Sequence, residues 1–259
     1  MSDTQIEDLH LAVFAATADM AAAAAANTAE VLRRAVLERG AARVVIATGN
    51  SQLAFVTALA AEDVPWAQIT VFHMDEYVGI DADHPASFRR WIRERIAEPF
   101  GPARVEYIDG EAADVEAECA RYEALLREAP IDLTCMGIGE NGHLAFNEPG
   151  QADFDDARWV KPITLTPESL HQQVGEGHFP DVDAVPPTAI SLTIPALLSA
   201  RSVQVVAPEQ RKAAAVRNTL TLPIDATCPS TILRRTPTAT LYLDAASAGD
   251  SLDLLPTPA

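Results

Sequence analysis

Runs of apolar and β-branched residues alternate, through the first 140 positions, with segments whose apolar residues recur at helical spacing. The apolar runs predict strands at 43–49, 67–77, 104–110 and 131–139. The periodic segments predict helices at 51–63, 81–96 and 115–129, and an alanine-rich helix at 5–39 that ends at Gly40. Such alternation is typical of an α/β protein with a mostly parallel central sheet covered by helices.

The pattern is looser beyond residue 140. It predicts strands or strand–helix segments at 158–165 and 189–198, a strand at 201–208, a helix at 208–220 and a last strand at 239–244. Residues 166–188 are polar and show no clear period, so we expect a long loop that serves as a lid. No linker divides the chain, which predicts a single domain over residues 1–259.

Charge narrows the choice of partners. Acidic residues outnumber basic ones by 37 to 19, which gives a net charge of −18. Nucleic acid and anionic membranes are excluded as partners, because their phosphates would be repelled. A small anionic ligand requires positive charge gathered at its site, and lysine is limited to Lys161 and Lys212.

Two further features bear on the compartment. The chain has no apolar run of about 18 residues, the length of a membrane span, and it lacks the basic-then-apolar start of a secretory signal. Its three cysteines, Cys119, Cys135 and Cys228, form no C-x-x-C pair. These features predict a cytoplasmic protein without disulfides or a structural zinc site.

Gly137, Gly139 and Gly142 spell G-x-G-x-x-G, the dinucleotide-binding fingerprint, directly after a predicted strand. In that fingerprint the third glycine opens a helix on which the pyrophosphate rests. Here Pro149 and Gly150 follow too soon for a crossover helix, and the motif comes fourth in the strand–helix series. We therefore expect no bound dinucleotide and another purpose for the glycines.

The same glycine-rich turn carries several groups with acid–base chemistry. His143 is a candidate general acid or base, because the ordinary pKa of histidine lies near neutrality. Glu148 is placed to orient or charge-couple that ring. Both a catalytic role and a structural role for this histidine remain open from the residues alone.

Two other predicted strands end in polar residues. The Gly-Asn-Ser turn before Gln52 either holds a phosphate against a helix N-terminus or forms an ordinary N-cap. Asp75 and Glu76 end the second strand, where a carboxylate can take a proton from carbon beside a carbonyl. A solvated turn is the other interpretation of these two residues, and paired carboxylates alone also suggest glycoside hydrolysis. H-E-x-x-H, G-x-S-x-G and Walker motifs are absent.

Three segments, ATGNSQ, MDEYVGIDADHPASF and GIGENGHLAFNEPG, resemble in order and separation the glucosamine-6-phosphate deaminases, within a wider group that includes the 6-phosphogluconolactonases. The resemblance covers residues 40–245, and the AFNEPG continuation is similar to the deaminase branch. It implies a Rossmann-like three-layer α/β/α sandwich. It also implies conversion of glucosamine 6-phosphate and water to fructose 6-phosphate and ammonia, without metal or organic cofactor.

The resemblance also implies roles for four residues. His143 would assist ring opening as acid–base catalyst at the ring oxygen and the C1 hydroxyl, supported by Asn141 and Glu148. Asp75 would then take the C2 proton of the open-chain sugar and return it at C1, giving an enolamine that loses ammonia.

The resemblance implies a phosphate and substrate site as well. The expected contacts are Thr48, Gly49, Asn50, Ser51, Glu76, Gly139, His178 and Lys212. Gln52 stands where relatives have proline, which should soften the turn. His178 precedes Phe179 where relatives have a phosphate-contacting arginine, and histidine lacks the permanently charged fork of arginine. We therefore expect weaker phosphate binding and activity displaced toward lower pH.

Other functions stay open at this point. One is a sister activity on galactosamine 6-phosphate or on a phosphorylated lactone, and the lactonase version would not need Asp75. Another is a sugar-phosphate-binding protein without turnover. The sequence leaves a homo-oligomer open, and the alanine-rich segment replaces the N-terminal segment that hexameric relatives use for allosteric control. We therefore expect no allosteric activation.

Overall fold

The computed structural model describes residues 2–175, 177 and 179–254. Its strands are β1 Ser2–Ile6, β2 Leu9–Phe14, β3 Ala42–Ile46, β4 Ile69–His73, β5 Asp75–Tyr77, β6 Arg104–Glu106, β7 Leu133–Met136, β8 Val160–Thr164, β9 Thr188–Leu192, β10 Ser202–Ala207 and β11 Ala239–Asp244. Its α-helices are α1 Thr17–Arg39, α2 Leu53–Leu59, α3 Phe88–Ile92, α4 Glu98–Phe100, α5 Val115–Arg127, α6 Pro167–Gly175, α7 Ile194–Leu198, α8 Ala213–Thr221 and α9 Ala245–Ala248. A π-helical turn, Arg93–Ala97, joins α3 to α4.

The central sheet confirms the predicted fold class. Its strand order is β1-β2-β11-β10-β7-β3-β4-β6. Strand β1 runs antiparallel to β2, whereas the other neighbouring pairs of this sheet are parallel. A parallel sheet must be covered on both faces, which explains the near-continuous apolar runs of β3, β7 and β10.

Helices cover the two faces of this sheet and complete a three-layer sandwich. Helices α1, α2 and α3 share one apolar core with the sheet, and α5, α7 and α8 share the other. The buried alanines of α1 let the helix approach the sheet closely, as their small side chains allow. No helix in the described ranges is long and apolar enough to cross a membrane.

The prediction of one helix over 5–39 is wrong at its start. Residues 2–14 form the hairpin β1–β2, and α1 begins only at Thr17. Leu9 and Leu11 are buried while His10 is exposed, a period of two that a strand produces. Strand β2 pairs in parallel with β11, and this long-range pairing outweighs the local preference of the sequence for helix.

The prediction of a loop over 166–188 is wrong as well, because the segment contains α6 and a 3-10 turn, Val182–Ala184. Thr166 caps α6, since its hydroxyl oxygen accepts from the Ser169 N–H at 3.3 Å. Leu170 and Val174 lie one helical turn apart and pack against the buried aromatic cluster around Tyr77 and Phe146. Two apolar residues are too few to give the sequence a clear helical period.

A second, antiparallel sheet has the order β5-β9-β8. Strand β5 follows β4 after the single residue Met74, and β8 leads into α6. This small sheet therefore connects the end of a central strand to the helix of the 166–188 segment.

The order of the central strands positions the site. Strands β10, β7, β3 and β4 are consecutive neighbours and parallel, so their carboxyl ends meet at one edge of the sheet. Open parallel sheets bind their ligands at this edge.

Candidate active site

A cleft lies at the carboxyl ends of these four strands and collects most of the residues that the sequence singled out. The predicted residues in its lining are Thr48, Gly49, Asn50, Ser51, Asp75, Gly139, His143 and Lys212. They come from the segments after β3, β4, β7 and β10. Asn141 and Glu148 do not line the cleft themselves. His178 lies outside the described residues.

The glycines after β7 allow the backbone and neighbouring side chains, among them that of His143, to approach each other. A Cβ atom on Gly139 would lie 2.2 Å from His143 Cε1. Gly142 has φ +89°, and a Cβ atom there would lie 2.7 Å from the Cys228 sulfur. A Cβ atom on Gly137 would lie 3.0 Å from Gln52 Nε2. The three glycines thus leave room for the side chains of His143, Cys228 and Gln52, which a Cβ atom at these positions would crowd.

His143, Asn141 and Glu148 form a connected group. The His143 N–H donates to Asn141 Oδ1 at 3.1 Å, and Asn141 Nδ2 donates to Glu148 Oε2 at 3.1 Å. His143 Nδ1 lies 3.8 Å from the same Oε2 atom. Glu148 is fully buried and does not line the cleft, whereas His143 does. The carboxylate therefore supports the ring from behind and leaves the cleft side of the ring to a ligand.

Asp75 is a buried carboxyl group in the wall of the cleft. Burial, with a smaller contribution from the neighbouring Glu76 charge, raises the pKa of Asp75 to about 8. Its backbone carbonyl is held by His73, whose Nδ1–H donates to it at 2.9 Å while Nε2 accepts from the Ile108 N–H at 2.9 Å. Burial lowers the pKa of His73 to about 4, so this ring is neutral and fixes the peptide of Asp75.

Glu76 does not line the cleft. Its carboxylate accepts hydrogen bonds from the N–H groups of Tyr77, Phe88 and Arg89 at 3.0, 3.1 and 2.7 Å and from the Ser87 hydroxyl at 2.8 Å. It thus holds the first turn of α3 against β5. Adjacent residues of a strand point to opposite faces, which directs Asp75 toward the cleft and Glu76 away from it.

The turn after β3 lines the cleft with Thr48, Gly49, Asn50 and Ser51. Gly49 has φ +99° and precedes a 3-10 turn, Asn50–Gln52, that runs into α2. The N-cap positions of this turn and of α2 are Gly49 and Gln52, and neither makes a side-chain cap bond, so Asn50 and Ser51 do not occupy the N-cap positions that the sequence suggested. Lys212 is buried and lines the same cleft. The start of a helix and a lysine in one lining form a setting suited to an anion.

Several side chains of the site were missed from the sequence. Gln52 is buried beneath the turn, where its Nε2 donates to Ser51 Oγ at 3.3 Å, and Gln172 and Gln173 line the cleft from α6. Leu170 and Val174, one helical turn apart, are the trace of α6 in the sequence, and two residues are too few to define a helical period. The described residues contain no group of three or more His, Cys, Asp or Glu that could hold a metal ion.

The geometry and sequence agree with a family of sugar-phosphate enzymes. The family model of glucosamine-6-phosphate isomerases and 6-phosphogluconolactonases matches residues 15–242. A glucosamine-6-phosphate deaminase of Lactobacillus delbrueckii subsp. bulgaricus is 32% identical over 220 residues, covering 85% of this chain and 91% of the relative. One from Listeria innocua is 33% identical over 215 residues, covering 83% of this chain and 90% of the relative.

Solved structures give a matching result. A monomeric glucosamine-6-phosphate deaminase of the NagB superfamily superposes with a TM-score of 0.84 at 28% identity, covering 92% of this chain and 98% of that one. A 6-phosphogluconolactonase from Shewanella baltica superposes with a TM-score of 0.75 at 19% identity, covering 93% of this chain and 98% of that one. The second likeness shows the shared fold alone.

Proposed function

The chain belongs to the family of glucosamine-6-phosphate isomerases and 6-phosphogluconolactonases, and we propose that it is a glucosamine-6-phosphate deaminase. The enzyme converts glucosamine 6-phosphate and water to fructose 6-phosphate and ammonia. The curated relatives that share about a third of its residues carry this name. The lactonase structures share only its fold.

One observation of the site carries the proposal. Asp75 and His143 line the same cleft from the ends of different strands, and the pKa of Asp75 is raised to about 8. Deamination with isomerisation needs two proton-transfer groups, one at the ring oxygen and one at C2. A carboxylate is a stronger base when its pKa is raised toward the working pH. Hydrolysis of a lactone transfers no proton at C2, so it would not use the raised pKa of Asp75.

Binding begins at the phosphate end of the cleft. The N–H groups of the turn Gly49–Ser51 and the ammonium of Lys212 hold the phosphate of the sugar. On a chain of net charge −18, this local gathering of positive charge gives the anionic substrate a place to bind. The sugar then extends toward Asp75 and His143.

Ring opening is the work of His143. Its imidazole donates a proton to the ring oxygen as the C1–O5 bond breaks and takes a proton from the C1 hydroxyl, which leaves an aldehyde. Glu148, with Nδ1 3.8 Å away, stabilises the ring while it carries positive charge. Asn141 fixes that carboxylate and the backbone of His143 together.

Proton transfer on carbon is the work of Asp75. The carboxylate takes the C2 proton of the open-chain sugar while His143 returns a proton to the C1 oxygen, which gives an enolamine. Asp75 then returns its proton to C1. The resulting imine at C2 adds water and releases ammonia, which leaves fructose 6-phosphate. Each positioned proton-transfer group is typically worth about 10²–10⁴ in rate.

The test is ammonia release from glucosamine 6-phosphate, with fructose 6-phosphate followed in parallel. We expect equimolar products, and loss of at least about 100-fold in kcat for Asp75→Asn and His143→Gln. Glu140→Gln, an exposed change in the same turn, is the matched control and should keep full activity.

The same assay separates the other functions. Hydrolysis of 6-phosphogluconolactone that survives Asp75→Asn would assign the chain to the lactonase branch. Ammonia from galactosamine 6-phosphate alone would change the sugar but keep the mechanism. Binding of these sugar phosphates without any turnover would identify a binding protein.

A further inference from the structure

Glu148 is contacted by two different parts of the chain. Asn141, from the turn that carries His143, donates to Oε2 at 3.1 Å. Thr166 and Ser169, from the first turn of α6, donate their hydroxyls to Oε2 at 3.3 Å and to Oε1. Glu148 and Ser169 are almost completely buried. The carboxylate therefore joins the catalytic turn to the helix in hydrogen bonds shielded from water.

The helix that supplies these hydroxyls also forms a wall of the cleft. Gln172 and Gln173 of α6 line the cleft together with Asp75 and His143. Leu170 and Val174 attach the helix to the aromatic cluster beside β5. The position of α6 therefore affects both the space left for the substrate and the hydrogen bonds of Glu148.

The hydroxyls of Thr166 and Ser169 fix the position of the Glu148 carboxylate. Oε2 lies 3.8 Å from His143 Nδ1, beyond direct hydrogen-bond distance, while three donors hold the carboxylate. Without Ser169 the Oε1 atom loses the hydroxyl that donates to it, and a buried carboxylate left short of donors rearranges or costs free energy. The orientation behind His143 would then no longer be fixed.

We propose that Thr166 and Ser169 are positioning residues that fix Glu148 behind His143 only while α6 is seated on the cleft. This proposal rests on the proposed deaminase function and adds a link between helix seating and ring opening. With α6 seated, the two hydroxyls hold the carboxylate behind the ring of His143, and displacement of the helix would remove both of these donors from Glu148.

A double-mutant comparison tests the link. We expect Ser169→Ala to lower kcat roughly 10-fold with KM within about two-fold, because misplacement of a catalytic group costs rate more than binding. In a Glu148→Gln background the same change should have little further effect, because Ser169 acts through the Glu148 carboxylate and that carboxylate is absent. Ser169→Thr, which keeps the hydroxyl, should restore most of the rate, and Glu168→Gln on the exposed face of α6 is the control.

An equal loss from Ser169→Ala in both backgrounds would overturn the proposal, as would full activity of the single variant. Helix seating is measured separately, by amide hydrogen exchange over residues 167–175 without substrate. Glu148→Gln should speed this exchange, and the matched Glu140→Gln should not. Unchanged exchange in Glu148→Gln would also count against the proposal. Because exchange needs no turnover, a parent that releases no ammonia would refute the proposed function and leave the seating test intact.

Discussion

The ring of His143 rests against the backbone of Gly139, so closely that a Cβ atom on Gly139 would lie 2.2 Å from Cε1 and Nε2 and 2.3 Å from Cδ2. The two residues are also tied by a hydrogen bond from the Gly139 N–H to the His143 carbonyl at 2.9 Å. An added methyl group at Gly139 would therefore have to displace the ring.

Gly139→Ala should therefore displace His143 and lower kcat roughly 100-fold, while the protein remains folded. Kinetics together with circular dichroism would check this. Gly175→Ala is the matched control, because a Cβ atom there meets nothing within 4 Å. A Gly139→Ala enzyme with parental kcat would show that the seat of His143 is not needed.

The raised pKa of Asp75 predicts the pH dependence of the free enzyme. Only the ionised carboxylate accepts a proton, and its population grows as pH rises through about 8. We expect kcat/KM to rise with pH and to reach half its limit near that value. Glu76→Gln removes a charge that raises this pKa and should move the midpoint to lower pH. An identical midpoint in the parent and in Glu76→Gln would mean that the rise of kcat/KM with pH reports the ionisation of another group.

The same group predicts a stability that depends on pH. In the unfolded chain the pKa of Asp75 returns to about 3.8, so between this value and about 8 the folded protein holds a proton that the unfolded chain releases. Stability linked to Asp75 is therefore complete at acid pH and falls as pH rises toward 8. Asp75→Asn should raise the free energy of unfolding by up to about 5 kcal/mol at pH 8 and by less than about 1 kcal/mol at pH 4. Chemical denaturation at the two pH values measures this, and an equal gain at both would contradict it.

The two lysines of the chain offer a matched pair for the phosphate site. Lys212→Met should raise KM roughly 10- to 100-fold with a small effect on kcat, since a hydrogen bond to a charged group is worth about 1.5–3 kcal/mol. Lys161, paired with Asp156 at 2.6 Å outside the cleft, should tolerate the same change. Inhibition by inorganic phosphate should weaken in parallel with KM, and equal KM values in the two variants would remove Lys212 from the site.

His178 supports a prediction from the sequence alone. If this histidine replaces a phosphate-binding arginine, KM of the parent should rise with pH as the imidazole loses its proton, and His178→Arg should lower KM and flatten that dependence. Steady-state kinetics from pH 6 to pH 8 would decide. Superimposable KM profiles would mean that His178 does not contact the phosphate.

The residues at the strand ends could be predicted because parallel strands bring their carboxyl ends to one edge. Asp75, His143 and the turn after β3 were found in this way, and the structure places them in one cleft. The different directions of Asp75 and Glu76 also follow from strand geometry, since neighbours on a strand face opposite sides. The sequence carries this information once the strand is known to continue through residue 77.

What could not be predicted depends on contacts between distant parts of the chain. The hairpin of residues 2–14 exists because β2 pairs with β11, more than 200 positions away. The hydroxyls on Glu148 come from residues 18 and 21 positions further along the chain. Helix α6 has two regularly spaced apolar residues, too few for the sequence to predict the helix. The hydrogen bonds of its hydroxyls to Glu148 could not be predicted either, because that contact forms only in the tertiary structure.

The two sheets contribute different parts of the cleft. The central sheet carries the turn after β3 and the seat of His143. The small sheet carries Asp75 on one edge strand and leads from the other into α6. The stretch from β8 to β9 therefore supplies both a wall of the cleft and the hydroxyls of Thr166 and Ser169 on Glu148. Exchanging this stretch for that of a relative would change the space for the sugar and the support of His143 at the same time, so selectivity and ring opening would have to be adjusted together.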